Sequence, residues 1–141
     1  MRLSVFIADT LSTQLVIDLQ KIYGNYLPAT SLTTEAITEQ LNDSTSRLFL
    51  TMFNERHIGG VKVQITGTTA TLSQLQIRDL TRRRGVGKNL LTQVEKQLKA
   101  EGVAQVEYAL TEVDESALLA IQAFLVNSDY QVNDGIAIKA I

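Results

Sequence analysis

"ATLSQLQIR" (residues 70–78), followed without a break by "DLTRRRGVGKNLL" (79–91), decides how the rest of the chain reads. The first segment alternates like a strand, with a fault. Leu72 lies on one parity, whereas Leu75 and Ile77 lie on the other. Successive strand residues point to opposite faces. One extra residue between Leu72 and Leu75, a β-bulge, would return all three to the same face and splay the strand from its neighbour, exposing backbone groups. Alternatively, Leu72 faces a second packed layer. The second segment sets three consecutive arginines against two glycines and runs into an amphipathic helix with the stripe Leu90, Leu91, Val94 and Leu98.

A strand ending at Arg78, then Arg82-x-x-Gly85-x-Gly87, then a helix, suits an anion. The first helical turn has unpaired backbone N–H groups, and the macrodipole puts partial positive charge there. Gly85 and Gly87 lack Cβ atoms, so a ligand oxygen can approach the main chain on either side of Val86. Arg82, Arg83, Arg84 and Lys88 add charge-assisted contacts. The spacing is neither a Walker loop nor the dinucleotide G-x-G-x-x-G pattern. A solvated basic helix start is the bland alternative, and the strand–motif–helix context favours a phosphate cradle.

Working outward, "MRLSVFI" alternates Leu3, Val5 and Ile7 as a first strand. Leu15, Val16, Leu19, Ile22 and Tyr23 share a helical face ended by Gly24, and Thr33 caps a short second helix carrying Ala36, Ile37 and Leu41. "RLFLTMF" and "GGVKVQI" read as strands joined by the tight turn "NERH", and "GTT" leads into the faulted strand. After the motif helix, supported by a Glu95–Lys99 pair and ended by Gly102, come a strand with Val106, Tyr108 and Leu110 on one side and the helix "ESALLAIQAFLVNS". A closing hairpin turns through Asn133, Asp134 and Gly135. The expected order is β-α-α-β-β-β-α-β-α-β-β, an α/β fold with a mixed, mostly antiparallel central sheet flanked by helices, over one domain, 1–141.

Composition narrows the function. The 141 residues include 13 Lys and Arg against 15 Asp and Glu, a formal net charge of −2. The basic residues concentrate between Arg78 and Lys88, and no aromatic residues interleave with them. A general nucleic-acid binder wants a broad basic face and stacking platforms, so a small anionic ligand is favoured over a polymer. With no cysteine there is no thiolate nucleophile or disulfide, and the single histidine, His57, cannot build a His-rich metal site. The start is too short in its apolar run for a signal peptide, and "ALLAIQAFLV" is about half a membrane span, broken by Gln122. The expectation is a cytoplasmic protein with no membrane or nucleic-acid partner.

R-x-x-G-x-G between a bulged strand and a helix resembles motif A of the GCN5-related N-acetyltransferase (GNAT) family. The resemblance implies a GNAT-type sheet and acetyl-CoA or CoA as ligand. Arg82 to Lys88, including Val86, would hold the pyrophosphate, and the backbone of Leu75, Gln76 and Ile77 would pair with pantetheine. Members often protonate the departing thiolate with a tyrosine after a phenylalanine in the last helix. Here "AIQAFLVNSDYQ" puts Leu125 at that position, and leucine cannot donate a proton. Tyr130 takes the aromatic packing position, and the candidate bases Asp79 and Glu112 have no motif behind them. No catalytic residue is therefore assigned. A narrower resemblance, carried by "IDLQKIYGNYLP" (17–28), "FNER" (53–56) and "LTRRRGVGKNLL" (80–91), is to the PanZ/PanM family of aspartate decarboxylase maturation factors. It implies a regulator, monomeric on its own, that binds the decarboxylase PanD, promotes self-cleavage to the pyruvoyl form, and restrains the mature enzyme in a CoA-dependent way. Phe53, Asn54, Glu55 and Arg56, with the basic run from Arg78, are the implied partner surface. The alternative is a working N-acetyltransferase for a small amine or a protein amino terminus.

Overall fold

Leu48, Phe49 and Leu50 are consecutive on one strand and all three are buried, so that strand has a packed layer on each face. The computed structural model describes residues 3–78 and 85–141. In β2 (Ser46–Phe53), Leu48 and Leu50 face Leu15, Leu19 and Ile22 of α1 (Thr13–Tyr23) and Ile37 of α2 (Thr34–Asn42). Phe49 points the other way, into a larger cluster with Leu90, Leu91, Val94 and Leu98 of α3 (Val86–Ala100) and Leu125 of α4 (Glu115–Asn127). Fully burying one such side chain is worth about 1.5–3 kcal/mol, and the two clusters hold three layers together.

The other strands are β1 (Ser4–Ile7), β3 (Arg56–Thr66), β4 (Thr69–Ile77), β5 (Gln105–Ala109), β6 (Gln131–Asn133) and β7 (Ile136–Ala140). The sheet order is β1-β2-β3-β4-β5-β7-β6, and among the described residues only β4 and β5 pair in parallel. The element order matches the sequence expectation, with a short 3₁₀ turn at Ala29–Ser31 added. Ser12 Oγ accepts from the Leu15 N–H at 3.0 Å and Thr33 Oγ1 from that of Ala36 at 3.1 Å, so polar caps start both early helices.

Gly24 caps α1 as expected, at a right-handed φ of −59, and the chain continues in tight turns with the Tyr26 and Leu27 N–H groups both on the Tyr23 carbonyl. Two local expectations need correction. The β2–β3 turn is only Asn54–Glu55, both at positive φ (50 and 64), so Arg56 and His57 belong to β3. Glu95 does not serve Lys99. It receives the Lys139 ammonium at 2.8 Å and the Tyr130 hydroxyl at 2.7 Å, because β7 and the segment after α4 fold back over α3.

Candidate functional site

The fault in β4 is a bulge. Gly60 of β3 faces Gln76 and Lys62 faces Ser73, so Gln74 and Leu75 together oppose Val61 alone. Gln74 takes the extra position at φ 55, and Leu72 and Leu75 both enter the larger core cluster. Parallel pairing with β5 runs from Thr69–Gln105 to Leu72–Tyr108 and stops there, while β4 continues to Ile77. Two tyrosines brace the divergence. Tyr23, from α1, donates its hydroxyl to the Gln74 carbonyl at 2.8 Å, and the Leu75 N–H donates to the Tyr108 hydroxyl at 2.9 Å. Burial pushes the Tyr23 phenol far up, and the nearby Tyr108 adds to it. Burial likewise raises Tyr108; the Leu75 N–H pulls it back and the Glu112 charge raises it again, to about 12.

A cleft of about 920 Å³ opens where the strands part, in the size range of small-molecule and cofactor sites. Gln76 and Ile77 lie along one wall, Glu112 and Phe124 along another, and Gly85 and Lys88 stand at one end. That end is the start of α3. Gly85 is its N-cap at φ 73 and supplies no capping side chain, and a Cβ there would meet no atom within 4 Å. Among the described residues no side chain caps the first-turn N–H groups of this 15-residue helix, which favours an anion there. Gly87 has a different role: a Cβ would come within 3.2 Å of Phe124, so it lets α3 and α4 pack closely. Of the expected cradle residues, Gly85, Val86, Gly87 and Lys88 line the cleft with Leu75, Gln76 and Ile77. Arg82, Arg83 and Arg84 lie outside the described residues, as does Asp79.

The turn Phe53–Arg56 stands away from the cleft lining, with Asn54 and Glu55 exposed. Arg56, expected in the partner surface, is 41% exposed and pinned at its tip. Its Nε and Nη2 donate to Asp18 Oδ1 at 3.1 and 2.9 Å, while the other carboxylate oxygen accepts from the His57 N–H at 3.1 Å and contacts His57 Nδ1 at 2.7 Å. Gln14 Nε2 donates as well, at 2.8 Å. An ionised carboxylate only accepts, so His57 carries its proton on Nδ1. Burial pushes the Asp18 carboxyl up, but the hydrogen bonds from His57, Arg56 and Gln14 outweigh it and hold it at about 2. Arg78, the other expected partner residue, donates its backbone N–H to the Ile58 carbonyl at 2.8 Å.

Leu125 is completely buried, so the helix position expected for a proton-donating tyrosine faces the core; Phe124, one residue earlier, lines the cleft. Tyr130 is buried as expected and donates to Glu95. Asp18, Tyr23 and Tyr108 were missed as polar anchors. The available signal was the same for each, one polar atom on an otherwise apolar stripe: Asp18 among Leu15, Leu19 and Ile22, and Tyr108 between Val106 and Leu110.

Comparison with known proteins bears on this geometry. The family model described as "Acetyltransferase (GNAT) domain, PanZ" matches residues 2–136. A PanD regulatory factor of Escherichia coli is 38% identical over 94 residues, 67% of each chain, and one of Salmonella typhimurium is 39% identical over the same length. The solution structure of YhhK from E. coli, bound to coenzyme A, superposes with a TM-score of 0.78 at 32% identity over 100% of both chains. The PaiA N-acetyltransferase of Thermoplasma acidophilum in complex with coenzyme A, at 18% identity and TM-score 0.72 over 98% and 99% of the chains, shares the fold.

Proposed function

The chain belongs to the PanZ family of acetyltransferase (GNAT) domains, and on that premise we propose that it is a CoA-binding regulator of aspartate decarboxylase, PanD. It promotes the decarboxylase's self-cleavage to the pyruvoyl form and restrains the mature enzyme when acetyl-CoA or CoA is bound. The observation that carries the ligand half is the cleft between β4 and β5, which leads from the uncapped start of α3 to the bulge at Leu75. Gly85 to Lys88, with Arg82 to Arg84, take the pyrophosphate, and the edge of β4 at Gln76 and Ile77 takes the extended arm. The Leu75 N–H already serves Tyr108, so the ligand meets that hydroxyl first. The turn Phe53–Arg56 and Arg78 form the surface that the decarboxylase reads.

Two observations favour a regulator over a working acetyltransferase. Leu125 offers no proton and faces the core, and the curated relatives are named for regulating PanD. Calorimetric titration of the protein into aspartate decarboxylase from the same organism, with and without acetyl-CoA, tests the reading. Association that requires acetyl-CoA or CoA supports it. Acetyl-CoA binding with no association, together with turnover on an amine, returns the chain to the acetyltransferases.

A further inference from the structure

Tyr108 uses only half of its hydrogen-bonding capacity. Its oxygen accepts the Leu75 N–H at 2.9 Å, yet a phenol also has a proton to give. Among the described residues no acceptor takes that proton, although the side chain is 3% exposed and lines the cleft. The hydroxyl proton is therefore available to an acceptor on a molecule seated in the cleft. Burial and the Glu112 charge keep the phenol protonated, so it stays a donor across the physiological range.

The position selects the acceptor. Leu75 lies two residues inside Ile77, about 7 Å along the strand at ~3.3 Å per residue, toward the interior and away from the α3 start. On the proposed reading, with the pyrophosphate at that start, the reactive end of the ligand arrives here. Free CoA presents a thiol, a weak acceptor, and the Glu112 carboxylate opposes a thiolate beside it. A thioester presents a carbonyl oxygen, a good acceptor.

Resting on the CoA reading, we propose that Tyr108, held in place by the Leu75 amide, donates its hydroxyl proton to the thioester carbonyl of acetyl-CoA. The cleft thereby distinguishes acyl-CoA from free CoA. The Leu75 amide acts through the phenol, which makes Leu75 a positioning residue and Tyr108 the specificity-determining one.

The test is calorimetric titration of the full chain with acetyl-CoA, free CoA and S-ethyl-CoA, which matches the acyl group in size but has no carbonyl. The wild-type protein is expected to prefer acetyl-CoA over S-ethyl-CoA about tenfold, the worth of one ordinary hydrogen bond. In Tyr108→Phe that ratio falls to about one. A wild-type ratio near one, or a tenfold ratio preserved in Tyr108→Phe, overturns the proposal while leaving CoA binding standing. Failure of the wild type to bind any of the three ligands overturns the CoA reading and the proposal together. Should Tyr108→Phe not fold, Tyr108→Leu takes its place with the same expected ratio of about one, and a wild-type ratio near one overturns the proposal by itself.

Discussion

Asp18 is a carboxylate with no exposed surface and five hydrogen bonds, from Gln14, Arg56 and His57. Its pKa of about 2 lies below the ordinary 3.8, so the folded state binds its proton less readily than the unfolded chain does. The stability this provides is complete above about pH 4 and is lost as pH falls through about 2. Urea unfolding between pH 5 and 2 is expected to show that loss, and Asp18→Asn to remove its own share of the slope. The variant also turns an amide N–H₂ toward existing donors, at a cost of about 1–3 kcal/mol, while the 41% exposed Arg56 keeps its contact with water. A variant with the wild-type slope over this window would assign the acid limb to other carboxylates, such as Glu101 beside Arg47. Gly85 makes a different residue-scale case. Its φ of 73 costs an L side chain about 1–2 kcal/mol, but a Cβ there meets no atom of the described residues within 4 Å. Gly85→Leu is therefore expected to fold, with its melting temperature lowered by several degrees, while its side chain stands where the phosphate has to approach. CoA affinity falls at least tenfold by calorimetry; an affinity equal to wild type removes the phosphate from the start of α3.

At the scale of elements, the β4 bulge is held from both sides, by Tyr23 on the Gln74 carbonyl and by Tyr108 on the Leu75 amide. Tyr23→Phe leaves that carbonyl unpartnered at the edge of the core and is expected to destabilise by about 1–3 kcal/mol in urea unfolding. Gln74→Gly relieves a left-handed backbone and is expected to be neutral or up to about 1 kcal/mol stabilising. A loss instead would mean that the Gln74 side chain itself supports the cleft. The parity fault was legible in the sequence, but it left two readings, a bulge or a second packed layer over Leu72; the register between β3 and β4 decides for the bulge. The helix and strand stripes were legible from their periodicity. Other features were not. The placement of β7 between β5 and β6 is a long-range pairing that local periodicity does not encode. Glu95 abandons its helical neighbour for Lys139, 44 positions away, and Arg56 turns back to Asp18 across 38. Helix α4 is apolar around most of its circumference, so its stripe could not show that Phe124 faces the cleft and Leu125 the core.

At the scale of the molecule, α1 touches both halves of the proposed function. Asp18 fastens it to the Arg56 end of the partner turn, and Tyr23 fastens it to the bulge in the cleft. The two anchors are five residues apart, about 7.5 Å along one rigid helix. A ligand that shifts the bulge therefore has a short mechanical route to the turn, without any wider rearrangement. Whatever the route, the coupling is reciprocal: if acetyl-CoA tightens decarboxylase binding by some factor, the decarboxylase must tighten acetyl-CoA binding by the same factor. Factors of roughly 5–150 are typical of such linkage. Calorimetry in both directions is expected to return equal factors in the wild type, and Tyr23→Phe to bring both toward one. Arg56→Lys, which keeps the charge but loses the planar fork that grips Asp18, is expected to act on the same coupling. In a double-mutant cycle the two substitutions should then be less than additive on the coupling factor, because either one alone disconnects α1. Full additivity, or a factor unchanged in Tyr23→Phe, would take α1 out of the route and leave the basic run from Arg78 as the surface through which ligand occupancy is read.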